Sequence, residues 1–235
     1  MSLTINNTAN APISLKALLI EHNPFSLAIT IVVEPGNTVH VYDDLISTED
    51  VATNPIVKHK LEFIVNSDST LHYHLSMVPE DLENHNRASG IYEKELIFRL
   101  AGKGANAQAH GSCFAGGSDI FKFKTLQDHQ VADTTSTLLI KGVLDDQAKL
   151  TCNSMIQICK GAQRSNALQA NKNIVLSKKA RAISIPQLEI EANDVSCKHG
   201  AAVSNINDEH MFYLQSRGLS LPETRKMLIQ GFLAI

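Results

Sequence analysis

Two residues with side chains suited to metal chemistry, Cys197 and His199, stand two positions apart in the segment "NDVSCKHGAAV" (193–203). The segment has the character of a β-strand, and residues i and i+2 of a strand point to the same face. A thiolate sulfur beside an imidazole nitrogen suits iron or zinc. Two ligands do not complete a metal site. The pair therefore predicts either half of a site or a packed cysteine beside a histidine bonded to backbone.

The other histidines and cysteines form weaker combinations. His72 and His74 share a strand face without a third ligand, which favours polar, solvent-facing residues. His110 and Cys113 could meet across a turn, but no carboxylate lies close in sequence. For His129, in "LQDH" (126–129), a hydrogen bond at a corner of the chain is the alternative to a functional role. The sequence contains no G-x-S-x-G, Walker A or H-E-x-x-H motif, so no catalytic constellation is predicted.

Composition excludes several classes of protein. The 235 residues are 43% hydrophobic and 19% charged, with a net charge of −3, which argues against nucleic-acid or anionic-membrane partners. No apolar run approaches the roughly 20 residues of a membrane helix. Residues 1–20 lack the basic start and apolar stretch of a signal peptide. The four cysteines form no C-x-x-C pair, and Cys152 and Cys159 are expected to have packing roles. A cytoplasmic protein with reduced thiols is predicted.

Apolar and polar residues alternate with a period of two up to about residue 200, which is typical of strands. The clearest strands are predicted at 38–45, 59–65, 70–77, 93–102 and 136–144. Three polar turn clusters are anchored by Ala148, Ala162 and Ala180, which predicts equivalent corners of a coiling chain. A sandwich would favour Asn-Gly or Asp-Gly hairpins, and the sequence has none. A parallel β-helix is predicted, with a β-sandwich as the alternative.

The pattern changes after residue 205, which predicts a core over 1–205 and a helical segment over 206–235. Asn207 can cap a first helix that ends at Gly218. Ser220 and Glu223 form a capping box for a second helix. The apolar face of that second helix is predicted at Met227, Leu228 and Phe232. The helix pair is expected to dock a partner, to cap the last coil of the core, or both.

Several stretches of the sequence resemble a known protein family. "PQLEIEANDVSCKHGAAVSNINDEHMFYLQSRGLSLPETRKMLIQGF" (186–232) is similar to the C-terminal block of the SufB/SufD family of the SUF iron–sulfur cluster assembly system, on its SufD side. "LQDH", "KGVLDDQAK" (141–149) and "GAQRSNALQANKNIVLS" (161–177) continue the resemblance in the same order. The resemblance implies a right-handed parallel β-helix with a short C-terminal helix pair.

Two departures from the family pattern stand out. The family normally carries a helical region before the β-helix, whereas this sequence begins almost directly with strand-like residues. Ile120, Lys122 and Lys124 stand where the family usually holds histidine and aspartate. The role of these three positions is therefore left open.

The resemblance implies a non-catalytic scaffold subunit that pairs with SufB and docks the ATPase SufC. It implies that Cys197 and His199 lie at the SufB–SufD interface, with His199 the primary ligand and Cys197 auxiliary, holding iron or a nascent cluster transiently with the partner chain. No cofactor is expected to bind the isolated chain tightly, and a homodimer through 190–204 is expected without SufB. The residues expected to dock SufC are Asp208, Phe212, Tyr213, Arg217, Pro222, Arg225, Leu228 and Phe232.

Two alternatives remain open beside the scaffold. A carbohydrate-active β-helix enzyme would need a groove lined with acids and aromatics. Aromatic residues make up only 5% of the chain and tryptophan is absent, which disfavours that class. A degenerate homologue that binds itself and has no assembly activity is the other alternative.

Overall fold

The computed structural model describes residues 2–7, 12–16, 26–44, 56–79, 82 and 89–234. Fourteen strands lie in these residues, and two helices follow them. The strands are β1 (Ser2–Asn7), β2 (Ile13–Ser14), β3 (Ser26–Val33), β4 (Thr38–Asp44), β5 (Ile56–Val65), β6 (Thr70–Met77), β7 (Ile91–Leu100), β8 (Asn106–Ala115), β9 (Ile120–His129), β10 (Thr135–Leu144), β11 (Lys149–Ile158), β12 (Ser165–Val175), β13 (Arg181–Ile190) and β14 (Val195–Ser204). The helices are α1 (Asp208–Ser216) and α2 (Leu221–Leu233).

The strands form two seven-stranded sheets that alternate along the chain. Odd-numbered strands make one sheet, in the order β1-β3-β5-β7-β9-β11-β13, and even-numbered strands make the other. All pairings are parallel, and the register joins Ile91 to Ile120 and Ile120 to Lys149, so that 29 residues separate paired positions. Each coil thus contributes one strand to each sheet. The predicted parallel β-helix is confirmed, and the antiparallel sandwich is excluded.

The interior changes character along the β-helix axis. Ile31, Phe63 and Phe98 follow one another in register on the inner face of the odd sheet and are almost fully buried. Phe63 and Phe98 stack with ring centroids 5.2 Å apart. The same row continues with Gln127, a buried polar residue that donates to the Ser136 hydroxyl at 2.7 Å. The apolar core of the first coils therefore gives way to a partly polar interior in the later ones.

A buried ion pair joins the two sheets in the first coils. Lys94 Nζ lies 2.7 and 2.6 Å from the two carboxylate oxygens of Asp43, and both side chains are at most 5% exposed. The Tyr73 hydroxyl donates to the same carboxylate at 2.7 Å. Burial, followed by the Asp43 charge, raises the pKa of Tyr73 well above its ordinary value. His59 Nδ1 lies 3.4 Å from Lys94 Nζ. The cluster crosslinks β4, β5, β6 and β7.

Left-handed residues line one corner of the β-helix. Gly36, Asp68, Gly104, Asp133 and Arg164 all have φ between 50° and 76°, and each donates its backbone N–H to a carbonyl of the next coil at 2.6–3.2 Å. Such a φ costs little for glycine and more for residues with a Cβ. At Gly104 glycine is required on a second ground, because a Cβ there would collide with the Asp68 carboxylate. The repeated bond fixes the spacing of the coils at this corner.

The three alanine turns divide between the two corners. Ala148, Ala162 and Ala180 are all buried. Ala148 and Ala180 stack at one corner, where Arg181 donates its N–H to the Ala148 carbonyl at 3.0 Å. Ala162 lies at the opposite corner, between β11 and β12. The prediction of three equivalent corners is therefore wrong for Ala162, because each coil turns twice and both turns select a small residue.

Helix α2 packs on the outer face of the even sheet. Ile229 and Leu233 are buried against Phe114 and Val143. The buried face differs from the predicted one by a rotation of the helix, and Met227 remains 48% exposed. Leu228 and Phe232, the other two residues of the predicted face, are half-buried. The predicted caps are confirmed: Asn207 accepts from the N–H groups of residues 209 and 210, and Ser220 forms the capping box with Glu223.

The helix pair lies beside the β-helix rather than over its end. Lys141 Nζ donates to the Ala234 carbonyl at 2.6 Å, and Arg225 forms a salt bridge with Asp145 at 3.1 Å. The side chains of β13 and β14 stay largely exposed. Within the described residues, no helix is long and apolar enough to cross a membrane.

Candidate functional site

Cys197 and His199 lie on β14, the last strand of the even sheet. The register places Cys197 beside Ala167 and His199 beside Gln169, both of which are buried in the interior. The two residues therefore continue inward-facing rows of the β-helix, and the prediction that they share one strand face is confirmed. Cys197 is half-buried and His199 is exposed.

The last coil leaves an open, apolar end. Among the described strands, β13 and β14 each have a hydrogen-bonded neighbour on one side only. Leu188, Ile190 and Val203 continue inward-facing rows but are 41%, 42% and 54% exposed, whereas Ile156 and Ile158 in the coil beneath are at most 1% exposed. Unpaired strand edges and clustered exposed apolar residues are features of association surfaces. The Cys–His pair thus sits within a surface suited to another chain.

The site offers two ligands from this chain. Partial burial raises the pKa of the Cys197 thiol, so that the thiol is protonated at neutral pH and releases its proton when it binds a metal. Across the parts of the chain that the structure describes, no three His, Cys, Asp or Glu side chains are grouped as a metal site requires. A complete coordination sphere at Cys197 and His199 would need further ligands from outside these residues.

A polar interior lies beneath the pair, which the sequence analysis missed. Gln169, Asn171 and Asn173 alternate along β12, point inward and are at most 3% exposed. Gln169 Oε1, Asn171 Nδ2 and Asn173 Oδ1 have no hydrogen-bond partner among the described residues. Gln169 is the register neighbour of His199, so this polar interior lies in the coil directly beneath the pair. The period-two polar pattern in "NALQANKN" (166–173) was the signal for this feature.

His129 is a buried, neutral corner residue. Its Nδ1 lies 2.7 Å from the Thr134 hydroxyl and its Nε2 lies 2.8 Å from the Ser136 hydroxyl, which agrees with the alternative of a hydrogen bond at a corner. Burial lowers the pKa of His129 from 6.5 to about 4, and the nearby Asp128 opposes that shift only partly. The imidazole is therefore neutral at pH 7.

His129 is expected to make folding stability pH-dependent. Because its pKa is lower in the folded chain, the unfolded chain takes up the proton first, and stability falls as the pH drops from about 6.5 towards 4. Relative to a His129→Gln variant, the wild-type protein should lose about 3 kcal/mol of unfolding free energy over this range. Urea unfolding at pH 7, 5.5 and 4 measures the difference, which isolates His129 from the other histidines. Parallel pH profiles for the two proteins would contradict the assignment.

A histidine stack lies on the outer face of the even sheet. His40 and His72 stack with ring centroids 4.5 Å apart, and His74 lies 5.1 Å from the Tyr42 ring and 6.2 Å from His110. His72 and His74 face the solvent side of the sheet as predicted, and all four histidines are half-buried there. Burial, followed by the neighbouring histidines, lowers the pKa of His72 and His74.

The remaining cysteines do not join a site. Cys113 lies in the same strand as His110 but on the inward face, where it is 1% exposed. The two side chains therefore do not meet across a turn. Cys152 is also buried and lies 3.3 Å from the Ser154 hydroxyl. Burial raises the pKa of Cys152, and burial and nearby carboxylates raise that of Cys159. The expected packing role of Cys152 agrees with its position.

Lys122 and Lys124, two of the three departures from the family pattern, pair with acids of the neighbouring coil. Lys122 Nζ lies 3.0 Å from Glu93, and Lys124 Nζ lies 2.9 Å from Glu95. Lys58 and Lys60 contact the same two glutamates from the other side. Ile120 begins β9 and is half-buried. The two lysines thus extend exposed ion-pair ladders, which contribute little stability each.

The residues expected to dock an ATPase fall into two groups. No residue of α1 is buried, and Phe212 and Tyr213 are 75% and 56% exposed. Arg217 lies over the Tyr213 ring at 5.2 Å. Asp208, Arg217 and Pro222 are exposed, whereas Arg225, Leu228 and Phe232 are half-buried. Exposed aromatic side chains on α1 therefore form the accessible part of the helix pair, and α2 supplies its attachment to the sheet.

Comparisons with known proteins point to one family. The protein-family model described as "SUF system FeS cluster assembly, SufBD core domain" matches residues 81–232. The chain is 27% identical over 183 residues to the iron-sulfur cluster assembly protein SufD of Escherichia coli, covering 77% of this chain and 41% of that protein. It is 32% identical over 140 residues to SufD of Bacillus subtilis, covering 60% and 32%. A SufBD family protein of Synechocystis is 37% identical over 118 residues, covering 46% and 26%. The chain spans less than half the length of each of these relatives.

Proposed function

The chain belongs to the SufBD family of the SUF iron–sulfur cluster assembly system, and from this premise we propose that it is a scaffold subunit on which a cluster is assembled. The observation that carries the proposal is the position of Cys197 and His199 in the open, apolar end of the β-helix. In that position they can meet ligands from another chain and hold iron or a nascent cluster as cargo.

The open end is the proposed contact with a SufB chain. A second β-helix that docked there would cover Leu188, Ile190 and Val203 and could pair with the free edges of β13 and β14. The partner would supply the missing ligands, including a cysteine. Exposed His199 is the proposed primary ligand, and half-buried Cys197 is the proposed auxiliary ligand. Without SufB, the same surface is expected to pair two copies of this chain.

Helix α1 is the proposed docking element for the ATPase SufC. The sequence has no Walker A motif, so ATP hydrolysis is assigned to the partner and this chain is proposed to be non-catalytic. Phe212 and Tyr213 supply exposed aromatic surface, the type of residue that dominates binding energy at interfaces. We also propose that cluster assembly on this chain takes place in the cytoplasm.

Co-purification tests the proposed assembly. Tagged chain, co-expressed with SufB and SufC from the same cell, should retain both partners through size-exclusion chromatography at micromolar concentration. Expressed alone, the chain should elute as a dimer by light scattering. Recovery of the tagged chain without either partner, together with a strict monomer when it is expressed alone, would contradict the scaffold assignment.

Substitutions on α1 test the docking element. Phe212→Ala is expected to weaken SufC binding by about 2 kcal/mol, because it removes an exposed aromatic anchor. Met227→Ala, at an exposed site on α2, is the matched control and should change binding little. Biolayer interferometry measures the SufC affinity of the wild-type protein and of each variant. Circular dichroism checks that the variants are folded. Arg225 is unsuitable for this test because its salt bridge with Asp145 attaches the helix pair. Equal affinities for wild-type and Phe212→Ala protein would leave α1 without a docking role.

A further inference from the structure

Four cationic side chains surround a hollow at the corner where the even strands pass into the odd ones. The hollow has a volume of about 370 Å³. Its lining residues are Ser118, Ile120, Gln147, Lys149, Lys178, Lys179 and Arg181. We call the four cations, Lys149, Lys178, Lys179 and Arg181, the basic corner. No carboxylate lines the hollow.

The cations of the basic corner are not paired with carboxylates in the part of the chain that the structure describes. None of its four cations forms a salt bridge with the residues that the structure describes, and the Arg181 guanidinium donates to the backbone carbonyls of Lys178 and Ala180 at 2.7 and 3.0 Å. Nearby Asp145 is engaged by Arg225. On the odd sheet, by contrast, Lys58, Lys60, Lys122 and Lys124 each contact a glutamate. Four cations without a salt bridge among the described residues make a local field that favours anionic groups.

The basic corner is continuous with the helix pair. A second hollow, of about 620 Å³, shares Lys178 and Arg181 with it and extends to both helices. Its apolar lining includes Leu176, Ile206 and Leu221. A partner seated on α1 could therefore reach the basic corner along one surface, which mixes apolar and polar residues beside the helices and is cationic at the corner.

We propose that the basic corner is the electrostatic part of the SufC docking surface and receives acidic side chains of that ATPase. This inference rests on the docking role of α1 proposed above and adds the charge of the partner's contact surface. Aromatic residues of α1 supply the apolar contact, while the four cations steer the encounter and fix its orientation. Binding that depends on such exposed charges weakens as salt screens them.

Charge reversal at the corner tests the inference. The double variant Lys178→Glu/Lys179→Glu should bind purified SufC about tenfold more weakly than wild type in 50 mM salt, mainly through slower association. The difference should shrink to about twofold in 500 mM salt. Lys179→Glu alone should show a smaller loss. Lys160→Glu, an exposed lysine at the opposite corner, is the matched control and should bind like wild type.

The outcomes separate this inference from the proposed docking itself. Unchanged SufC affinity in the double variant, with weaker binding by Phe212→Ala, would overturn the inference and leave α1 as the docking element. Unchanged affinity in both variants would overturn the docking proposal as well. Titration with inorganic phosphate provides a third arm. Phosphate binding that the double variant loses, with SufC affinity intact, would assign the corner to a small anion and overturn the inference.

Discussion

The Lys94→Met variant is expected to lose about 3–5 kcal/mol of unfolding free energy, because it leaves the Asp43 carboxylate buried without its cation. Asp43 is 1% exposed, and the Tyr73 hydroxyl would be the remaining donor shown at its carboxylate. The cluster joins strands of both sheets in the first coils, so the loss should be felt by the whole fold. Urea unfolding followed by circular dichroism measures the change.

Two controls make this test specific to the buried pair. Lys122→Gln removes an exposed lysine from a surface ladder and should cost less than about 1 kcal/mol. Asp43→Asn/Lys94→Met removes both charges but retains an oxygen that can accept from Tyr73. That double variant should be more stable than Lys94→Met alone, because no uncompensated charge remains buried. Asp43→Asn alone completes the comparison. If the loss of unfolding free energy in the double variant equalled the sum of the losses in Asp43→Asn and Lys94→Met, the pair would not be coupled.

The strands could be predicted because their information is local, whereas their parallel stacking was favoured by the turn clusters and implied by the family resemblance. Alternation with a period of two marks each strand, and recurrent small residues mark the turns. The assignment of each turn to a corner could not be predicted, since both corners bury alanine, as Ala148 and Ala162 do. The rotation of α2 was missed for a related reason. Its apolar residues cover more than one face, and Phe114 and Val143 on the sheet decide which face is buried.

The candidate site likewise has one part that local sequence predicts and another part that depends on distant residues. The spacing of two residues predicts that Cys197 and His199 share one strand face, because this relation is local. The open end and the pairing of Gln169 with His199 depend on register between residues 30 positions apart, which local pattern does not encode. The Lys94–Asp43 ion pair could not be predicted for the same reason, because its residues are separated by 51 positions.

Function came from resemblance rather than from residue chemistry alone. Two ligands on a strand are equally compatible with ordinary packing, and the family match over 81–232 is what favours cluster assembly. The carbohydrate-active alternative gains no support from the relatives described above, which bear the names of SUF proteins. A self-associating homologue without assembly activity is distinguished from the scaffold by the cluster measurement that follows.

His199→Ala is expected to abolish or sharply reduce cluster build-up on the assembled complex. The substitution removes an exposed imidazole, and no other histidine lies on β14, so no side chain of that strand can replace the lost nitrogen. Because His199 is exposed, its removal leaves no cavity, and the melting temperature of the chain should stay close to that of wild type. Iron and sulfide content of reconstituted complexes measures the loss, with thermal melting as the folding control.

Cys197→Ser completes the argument by separating the two ligands. Serine keeps the size and polarity of the half-buried side chain but lacks the soft thiolate, so cluster content should fall less than in His199→Ala if the partner's cysteine carries the sulfur ligation. The isolated chain should bind iron poorly, because two ligands leave most of the coordination sphere to solvent. Wild-type cluster content in the His199→Ala complex would return both residues to an ordinary structural role. A greater loss in Cys197→Ser than in His199→Ala would instead make the thiol the primary ligand from this chain.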